Sequence, residues 1–399
     1  MTGSVVVTGL GIVSPTGLGA RDYWAQACGG GPNAARRAGP RGQTRAAAGI
    51  AWPAAALLDP APGDQLWGRP APQTDRMARL ALAAADWALA DAGIRPQDLP
   101  DFGPDAVTAV TAAAAAAGRY GEGRRPGFGT GFRAGRPYGG PRGRAGGQSG
   151  AYRSFAWFYA VSSGQISIRD GMKGLDAVAH ARRQIRQGGR LIVSGGVDAP
   201  VCADRSHDGV APPATAGQPG PAGPAGTARP GGGALLVLET AGAALARGAT
   251  IYGEVAGYGA TFDPDPSGGR EPGLRRAVEL ALADAGAVPG EVDAVFVPGL
   301  DAAESAAVTT VFGVHAVPVT APRTMTGHRY PGSAAPLDLA AALLAMEEGL
   351  IPPTADILPS PGYDLNLVLS PRTAELRTTV VVARGHGGFN SAVVLRTLD

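Results

Sequence analysis

The chain has 399 residues, of which 45% are hydrophobic and 17% are charged, and this is enough apolar material for more than one packed core. Such a composition excludes a disordered chain. The formal net charge is only +2, from 35 basic and 33 acidic residues, which argues against attraction of the whole surface to nucleic acid or to anionic membrane. The 62 glycines and 35 prolines exceed average usage and predict long irregular stretches.

The first residues and the cysteines indicate a cytoplasmic protein without a membrane anchor. Residues 1–13 contain an apolar stretch with no basic lead-in and no small-residue cleavage site, so they predict a strand rather than a secretion signal. The longest uncharged apolar run, 106–117, is shorter than the ~20 residues of a spanning helix. Cys28 and Cys202 have neither a metal-ligand spacing nor the pattern of a disulfide framework.

The chain opens with a β-branched segment, Ser4–Thr8, which predicts a buried strand. The Gly-Leu-Gly triplet at 9–11 is then expected to turn the chain. The triplet also begins a dinucleotide-binding pattern, but Ser14 stands where the third glycine belongs, and Pro15 prevents a helix from opening there. We therefore predict no nucleotide site.

The next regular segment, residues 76–92, has apolar side chains at helical spacing, and Gly93 supplies a stop. The residues on one face are Met77, Leu80, Ala84, Trp87 and Ala88. Its last residues read ALADAG, and the same hexapeptide recurs 193 residues later, at 281–286. Chance in an alanine-rich chain is one explanation, and an internal duplication is the other.

Further correspondences favour the duplication. The strand-like segment 253–259 opens the later part of the chain as 5–11 opens the earlier part. A predicted helix at 175–187 leads through two glycines into the strand 191–194, and a predicted helix at 336–348 leads through Gly349 into Ile351.

We therefore predict an α/β protein of two similar halves, residues 1–240 and 241–399, packed as one pseudo-symmetric layered body. Two segments break the pattern and are expected to be loops. Residues 118–150 hold 13 glycines and 7 arginines, and residues 201–233 are rich in alanine, glycine and proline.

Five motifs stand out along the chain, at residues 5–17, 155–171, 195–198, 318–328 and 385–395. FAWFYA followed by GQISIRDGM is the most specific of them. Together they resemble the ketosynthase family, and more closely the chain length factors, or ketosynthase beta subunits, of aromatic type II polyketide synthases. The resemblance implies a thiolase-like fold with a layered αβαβα arrangement.

The catalytic members of that family use a cysteine, two histidines and a lysine. The resemblance puts Gly171 at the nucleophile position and Pro298 at the first histidine position, and neither side chain can do the chemistry. Arg323 stands in place of the lysine. The second histidine survives as His328, which is the residual family position in a chain with no complete catalytic set.

The chain also departs from the chain length factors themselves. They carry a strand and a glutamine before the helix that starts at Leu175, and that stretch is absent here, so the first half is expected to pack loosely. Gln165 belongs to the GQIS motif and is not the missing glutamine. His386 stands where the family has a gatekeeper phenylalanine.

The remaining histidines, His180, His207 and His315, are expected to make packing or surface contacts or to lie in a loop. No spacing of histidines, cysteines or carboxylates suggests a metal site, and no phosphate-binding loop is present. We predict no cofactor.

The resemblance implies a subunit that is not an enzyme by itself. It would pair with a ketosynthase alpha subunit as a heterodimer, meet acyl carrier protein through that complex, and help set polyketide chain length. Aromatic side chains at Phe155, Trp157 and Phe158 are candidates for its interface or core.

Two other functions remain open. The first is a ketosynthase-like enzyme, either a decarboxylase that makes an acetyl primer on carrier protein or an acyltransferase with another nucleophile, although Pro298 counts against the decarboxylase. The second is nucleic-acid binding through segment 118–150, where arginines alternate with Tyr120, Phe128, Phe132 and Tyr138. The near-neutral charge of the rest of the chain argues against it.

Overall fold

The computed structural model describes residues 3–14, 17–29, 65–66, 69–70, 76–95, 107–112, 175–198, 232–263, 273–326, 331–354, 364–385 and 388–398. The helices in these ranges are α1 (Ala20–Ala27), α2 (Arg76–Asp91), α3 (Leu175–Arg186), α4 (Ala241–Ala246), α5 (Leu274–Ala285), α6 (Ala302–Phe312), α7 (Arg323–Thr326) and α8 (Pro331–Glu348). A short 3₁₀ turn spans Pro289–Glu291.

The strands in the same ranges are β1 (Val5–Ser14), β2 (Gly17–Leu18), β3 (Gln65–Leu66), β4 (Arg69–Pro70), β5 (Val107–Ala112), β6 (Leu191–Asp198), β7 (Gly232–Thr240), β8 (Gly253–Phe262), β9 (Ala294–Phe296), β10 (Pro318–Thr320), β11 (Leu350–Ile351), β12 (Asn366–Leu367), β13 (Arg372–Thr373), β14 (Thr378–Arg384) and β15 (Phe389–Arg396).

Most strands belong to one mixed sheet with the order β12-β10-β9-β14-β15-β8-β1-β7-β6-β5. The two halves meet at the β8–β1 edge, which is antiparallel and consists of only two residue pairs, Val6 with Glu254 and Val7 with Gly253. On each side of this joint the pattern repeats. β1 pairs antiparallel with β7 as β8 pairs with β15, and β5 runs parallel to β6 as β9 runs parallel to β14.

Helices cover both faces of this sheet. α3 and α8 contact strands from both halves and form the central layer, whereas α2 packs on the outer face of the first half and α5 on the outer face of the second. Three buried clusters fill the spaces between these layers, with the largest around α8. The arrangement is the predicted αβαβα order of layers.

The expectation that Gly9–Gly11 turns the chain is wrong, because β1 continues through the triplet to Ser14 with one register shift between Val7 and Gly9. The glycines allow the backbone of β1 to lie close to the backbone of α2. A Cβ atom at Gly11 would lie 1.7 Å from the backbone oxygen of Ala84, and one at Gly9 would lie 2.1 Å from that of Ala88.

The second half repeats this packing, as expected for two similar halves. A Cβ atom at Gly257 would lie 2.2 Å from the oxygen of Ala281, and one at Gly259 would lie 2.2 Å from that of Ala277. In both halves a strand with alternate glycines therefore lies directly against an alanine face of its helix, at a separation that no side chain permits.

The central helix of the second half differs from its prediction in two ways. α8 begins at Pro331, five residues before the predicted start, and contains Pro336. The strand that follows at Ile351 pairs with β13 in a separate two-stranded sheet. The strand of the second half that is equivalent to β6 is instead β14, which runs parallel to β9 in the main sheet as β6 runs parallel to β5.

Several predicted segments lie outside the described residues. These are the predicted loop 118–150, residues 201–231 of the predicted loop 201–233, and the stretch before Leu175 in which the family's strand and glutamine were expected. The end of the second predicted loop is wrong, because Gly232 and Gly233 already pair in the sheet as the first residues of β7. In the second half, β10 lies beside β9. The corresponding position in the first half falls within 113–174, so the expected loose packing stays a prediction.

Candidate functional site

The carboxyl ends of β9, β10 and β14 gather charged side chains at one edge of the second half. These three strands are parallel, so their carboxyl ends lie together, and in open α/β sheets this is where binding crevices form. We call the five charged residues there the acid–arginine cluster. They are Asp301 and Glu304 at the start of α6, Arg323 at the start of α7, Asp338 on α8, and Arg384 at the end of β14.

Asp301 and Glu304 form the first part of the cluster. Asp301 is the N-cap of α6, and its Oδ1 accepts a hydrogen bond from the Glu304 amide at 2.8 Å. Arg384 forms an ion pair with the other oxygen of Asp301 and lies 4.0 Å from Glu304 Oε1. Glu304 itself is buried, and within the described part of the chain its Oε2 has no hydrogen-bond partner.

Burial raises the pKa of Glu304 to about 7, and the negative charge of Asp301 adds to the shift, whereas Arg384 and Arg323 oppose it. A carboxyl group in such surroundings loses its proton near neutral pH. Glu304 is therefore a buried proton-binding group at the site.

Arg323 and Asp338 form the second part of the cluster. The guanidinium Nε of Arg323 lies 2.8 Å from Asp338 Oδ2, and Asp338 is fully buried. Burial raises the pKa of Asp338 to about 7 against the opposing charge of Arg323. Beside this pair, the buried hydroxyl of Tyr23 donates a 3.3 Å hydrogen bond to the carbonyl of Leu337, and burial raises the pKa of Tyr23 above its ordinary value.

The structure brings together two of the residues singled out from the sequence. Pro298 follows the end of β9 by two residues, and Arg323 follows the end of β10 by three, so both lie at the same edge of the sheet. Proline has no side-chain hydrogen-bond donor. His328 lies outside the described residues, as do Gly171, Gln165 and His386.

Cys28 is the described cysteine, and Cys202 lies outside the described residues. Cys28 is the C-cap of α1. Burial raises its pKa to about 11, and the charge of Glu348 adds to the shift. The C-terminal end of a helix also disfavours a thiolate. Its neighbour Gly29 lies near Met325 of α7, so this thiol is close to the site region but is held in the protonated, unreactive form.

The other predicted residues lie away from the acid–arginine cluster or outside the described residues. His180 lies half-buried on α3, and His315 is exposed in a turn with a positive φ of 53°. The aromatic candidates are not described, nor is His207; they are Phe155, Trp157, Phe158, Tyr120, Phe128, Phe132 and Tyr138.

Sequence reasoning missed Glu304 and Asp338. A signal for both was available, because each is the only charged residue in a run of mainly small or apolar residues, AAESAAV and APLDLAAALL. A carboxylate in such a run is buried with its neighbours, and buried carboxylates need a paired cation or a proton.

The acid–arginine cluster contains carboxyl and guanidinium groups, but no thiol and no imidazole. In the ranges that the structure describes, no group of three or more histidine, cysteine, aspartate or glutamate residues is placed to hold a metal ion. The cluster can bind and release protons, and it offers no side chain that is suited to hold an acyl chain as a thioester.

Within the described ranges, no helix combines the length and the apolar character needed to cross a membrane.

Comparison with known proteins identifies the family. The family model for the beta-ketoacyl synthase N-terminal domain matches residues 2–244, and the family model for the C-terminal domain matches residues 252–357. The chain belongs to the beta-ketoacyl synthase family. The confirmed resemblance extends to the beta subunits of polyketide ketosynthases, as the individual relatives show.

The tetracenomycin polyketide synthase ketoacyl synthase beta subunit of Streptomyces glaucescens is 44% identical, with 98% of each chain covered. The actinorhodin polyketide putative beta-ketoacyl synthase 2 of Streptomyces coelicolor is also 44% identical, again over 98% of each chain. Among solved structures, the ishigamide ketosynthase/chain length factor matches over 100% of both chains, with a TM-score of 0.64 and 24% identity.

A second structural match is a type II acyl-carrier protein in complex with its ketosynthase bound to the hexaketide. It has a TM-score of 0.68 and 21% identity, and it covers 100% of both chains. At these identities the two structural matches establish the fold, which is the predicted thiolase-like α/β fold. The assignment to beta subunits rests on the full-length relatives.

Proposed function

We propose that this chain is the beta subunit of an aromatic type II polyketide ketosynthase. It pairs with a catalytic alpha subunit, forms no carbon–carbon bonds by itself, and helps set the length of the polyketide. The heterodimer, and not this chain alone, would receive acyl groups from acyl carrier protein. The cytoplasm is the compartment we propose for the complex.

The observation that carries this proposal is the match of the chain to beta-subunit relatives over nearly its full length. The residues that the family resemblance assigns to the catalytic positions support it: Pro298, two residues after β9, at the position of the first histidine, and Arg323, which is paired with Asp338, in place of the lysine. A condensing enzyme needs hydrogen-bond donors aimed at the developing oxyanion. Proline at this position removes one of them.

Chain-length control by such a subunit is a limit on volume. A growing polyketide that enters a closed tunnel stops when another two-carbon unit would clash with the side chains at its end. The test is to produce the alpha subunit and carrier protein with and without this chain and to measure products by mass spectrometry. We expect a defined polyketide only with this chain present, and an unchanged product profile without it would contradict the proposal.

The decarboxylase is the alternative, and the comparisons do not favour it. Incubating the purified chain with malonyl carrier protein and measuring carbon dioxide tests it directly. We expect no release above the protein-free control from the native chain, because Pro298 stands in place of one of the two imidazole donors on which such a decarboxylase relies. Release of carbon dioxide at a rate comparable with that of an active ketosynthase would overturn the proposal that this chain is not catalytic by itself.

A further inference from the structure

The duplicated ALADAG hexapeptides place an aspartate at equivalent points in the two halves, Asp91 near the end of α2 and Asp284 near the end of α5. Each accepts a hydrogen bond from the residue between the two glycines of its own strand. The Leu10 amide donates to Asp91 Oδ2 at 2.8 Å, and the Tyr258 amide donates to Asp284 Oδ2 at 2.9 Å. The two contacts are the same element of the repeat.

Each aspartate oxygen also receives a second donor, and in both cases that donor belongs to the other half. The Tyr252 hydroxyl, just before β8, donates to Asp91 Oδ2 at 2.9 Å. Arg182 Nη1, on α3 of the first half, donates to Asp284 Oδ2 at 2.6 Å. Both halves thus have the aspartate, but its second donor is a tyrosine hydroxyl in one case and an arginine guanidinium in the other.

The geometry points to a reciprocal clasp, formed by Asp91 with Tyr252 and Asp284 with Arg182, that couples the two halves of the chain into one cooperative unit. Neither contact is required by the packing within a half, because each aspartate already completes its own strand–helix contact. Both contacts cross the joint between the halves, and they do so in opposite directions.

The surroundings of the clasp support this role. The sheet itself joins the halves through only two residue pairs between β1 and β8, so few backbone hydrogen bonds cross the joint. Arg182 is buried, at 6% exposure, and its other terminal nitrogen donates to the carbonyl of Ala256 on β8. The Tyr252 amide donates to the carbonyl of Val7 on β1 at 2.9 Å. Hydrogen bonds to a charged group contribute more than neutral ones.

Hydrogen exchange of the full-length chain tests the clasp, because it reports the stability of each helix separately. Tyr252→Phe removes one hydroxyl group from the second half, and we expect about fivefold faster exchange in α2 of the first half. Arg182→Gln alters the first half, and we expect roughly 10- to 100-fold faster exchange in α5 of the second half. The diagnostic result is the effect in the half that was not substituted.

Arg275→Gln is the matched control, because Arg275 forms its 2.5 Å ion pair with Glu279 on the same helix and should leave exchange in α2 unchanged. If Arg182→Gln does not fold, Tyr252→Phe decides the matter alone, since it changes a single oxygen atom. Acceleration confined to the substituted half, or none in α2 for Tyr252→Phe, would overturn the clasp. Neither result would bear on the proposed ketosynthase partner, which is tested by product analysis.

Discussion

The helices α2 and α5 occupy equivalent places in the two halves, and the last turn of each is contacted by an arginine. In both, an arginine donates to the carbonyl of the alanine that follows the duplicated aspartate. Arg247 Nη1 reaches Ala92 at 2.5 Å, and Arg396 Nη2 reaches Ala285 at 3.1 Å. A cation at the C-terminal end of a helix satisfies a free carbonyl and complements the helix dipole.

The two arginines are held differently. Arg396 is itself a residue of β15, whereas Arg247 follows α4 and is held by Glu239 of β7, a fully buried carboxylate 2.5 Å away. Thr8 also donates to Glu239 at 2.7 Å. The close backbone approach of strand and helix is the same in both halves, because glycine and alanine permit it, whereas the polar contacts at the helix ends differ. The arginine contact at the end of α2 depends on the buried Glu239 carboxylate, whereas the contact at the end of α5 is made by an arginine of a strand.

The largest expected effect comes from the glycines that both halves share. Gly11→Ala and Gly259→Ala should each lower the free energy of unfolding by about 3 kcal/mol or more, because the new methyl group meets backbone atoms that cannot move aside. Urea unfolding measures both. Gly242→Ala is the control, since it enters open space in α4 and should be neutral or slightly stabilising. Similar stabilities for all three variants would refute the shared packing.

The second prediction compares the arginines that contact the ends of α2 and α5. Arg247→Met leaves the buried Glu239 carboxylate without its cation and should cost about 3 kcal/mol. Arg396→Met removes a hydrogen bond to a carbonyl and should cost about 1 kcal/mol. Thermal and urea unfolding of the two variants compare these costs, and equal losses would show that the buried charge in the first half has no special weight.

The acid–arginine cluster of the second half predicts a pH dependence. Burial raises the pKa of Glu304 and of Asp338 to about 7, so the folded state holds protons that the unfolded chain has released. Their contribution to stability is complete below about pH 4 and is lost as the pH rises through 7, by up to ~1.4 kcal/mol per pH unit for each carboxyl. Unfolding measured from pH 5 to 8 should show this decline.

Glu304→Gln should flatten part of that decline, because the amide cannot release a proton. Glu375→Gln is the matched control, since Glu375 is exposed and pairs with Arg377 on the surface, and it should leave the slope as in the native chain. A native chain that grows more stable from pH 5 to 8 would contradict the cluster as described.

The smallest expected effect is at the connection between the halves. Thr240 caps α4 by accepting a 3.3 Å hydrogen bond from the Ala243 amide. Thr240→Ala should cost about 0.5–1 kcal/mol, whereas Thr240→Ser keeps the cap and should cost less. Equal losses in the two variants, measured by thermal unfolding, would show that the cap oxygen contributes nothing.

Sequence patterns were sufficient where the signal was periodic or repeated. Of the apolar face predicted for α2, Leu80, Ala84 and Ala88 are fully buried and Trp87 is half-buried against the same cluster. The repeated hexapeptide located the equivalent helices α2 and α5. The Gly9–Gly11 turn was wrong because a glycine pair signals either a turn or a close approach, and the helix that decides between them lies more than 70 residues away in the chain. Local sequence carries no record of that distant contact.

Two other misses have similar causes. The predicted start of α8 at residue 336 was five residues late, because the helix begins at Pro331, where proline suits the first turn, and continues through Pro336. The acid–arginine cluster was missed because its members come from four separate segments that only the parallel strands bring together. Family motifs located Pro298 and Arg323, whereas Glu304 and Asp338 required the fold.

The most direct test of the proposed beta-subunit role is the native mass of this chain co-expressed with a candidate ketosynthase alpha subunit. The account predicts a complex that contains one copy of each chain. Separate elution of the two proteins, with this chain as a stable monomer or homodimer, would contradict it.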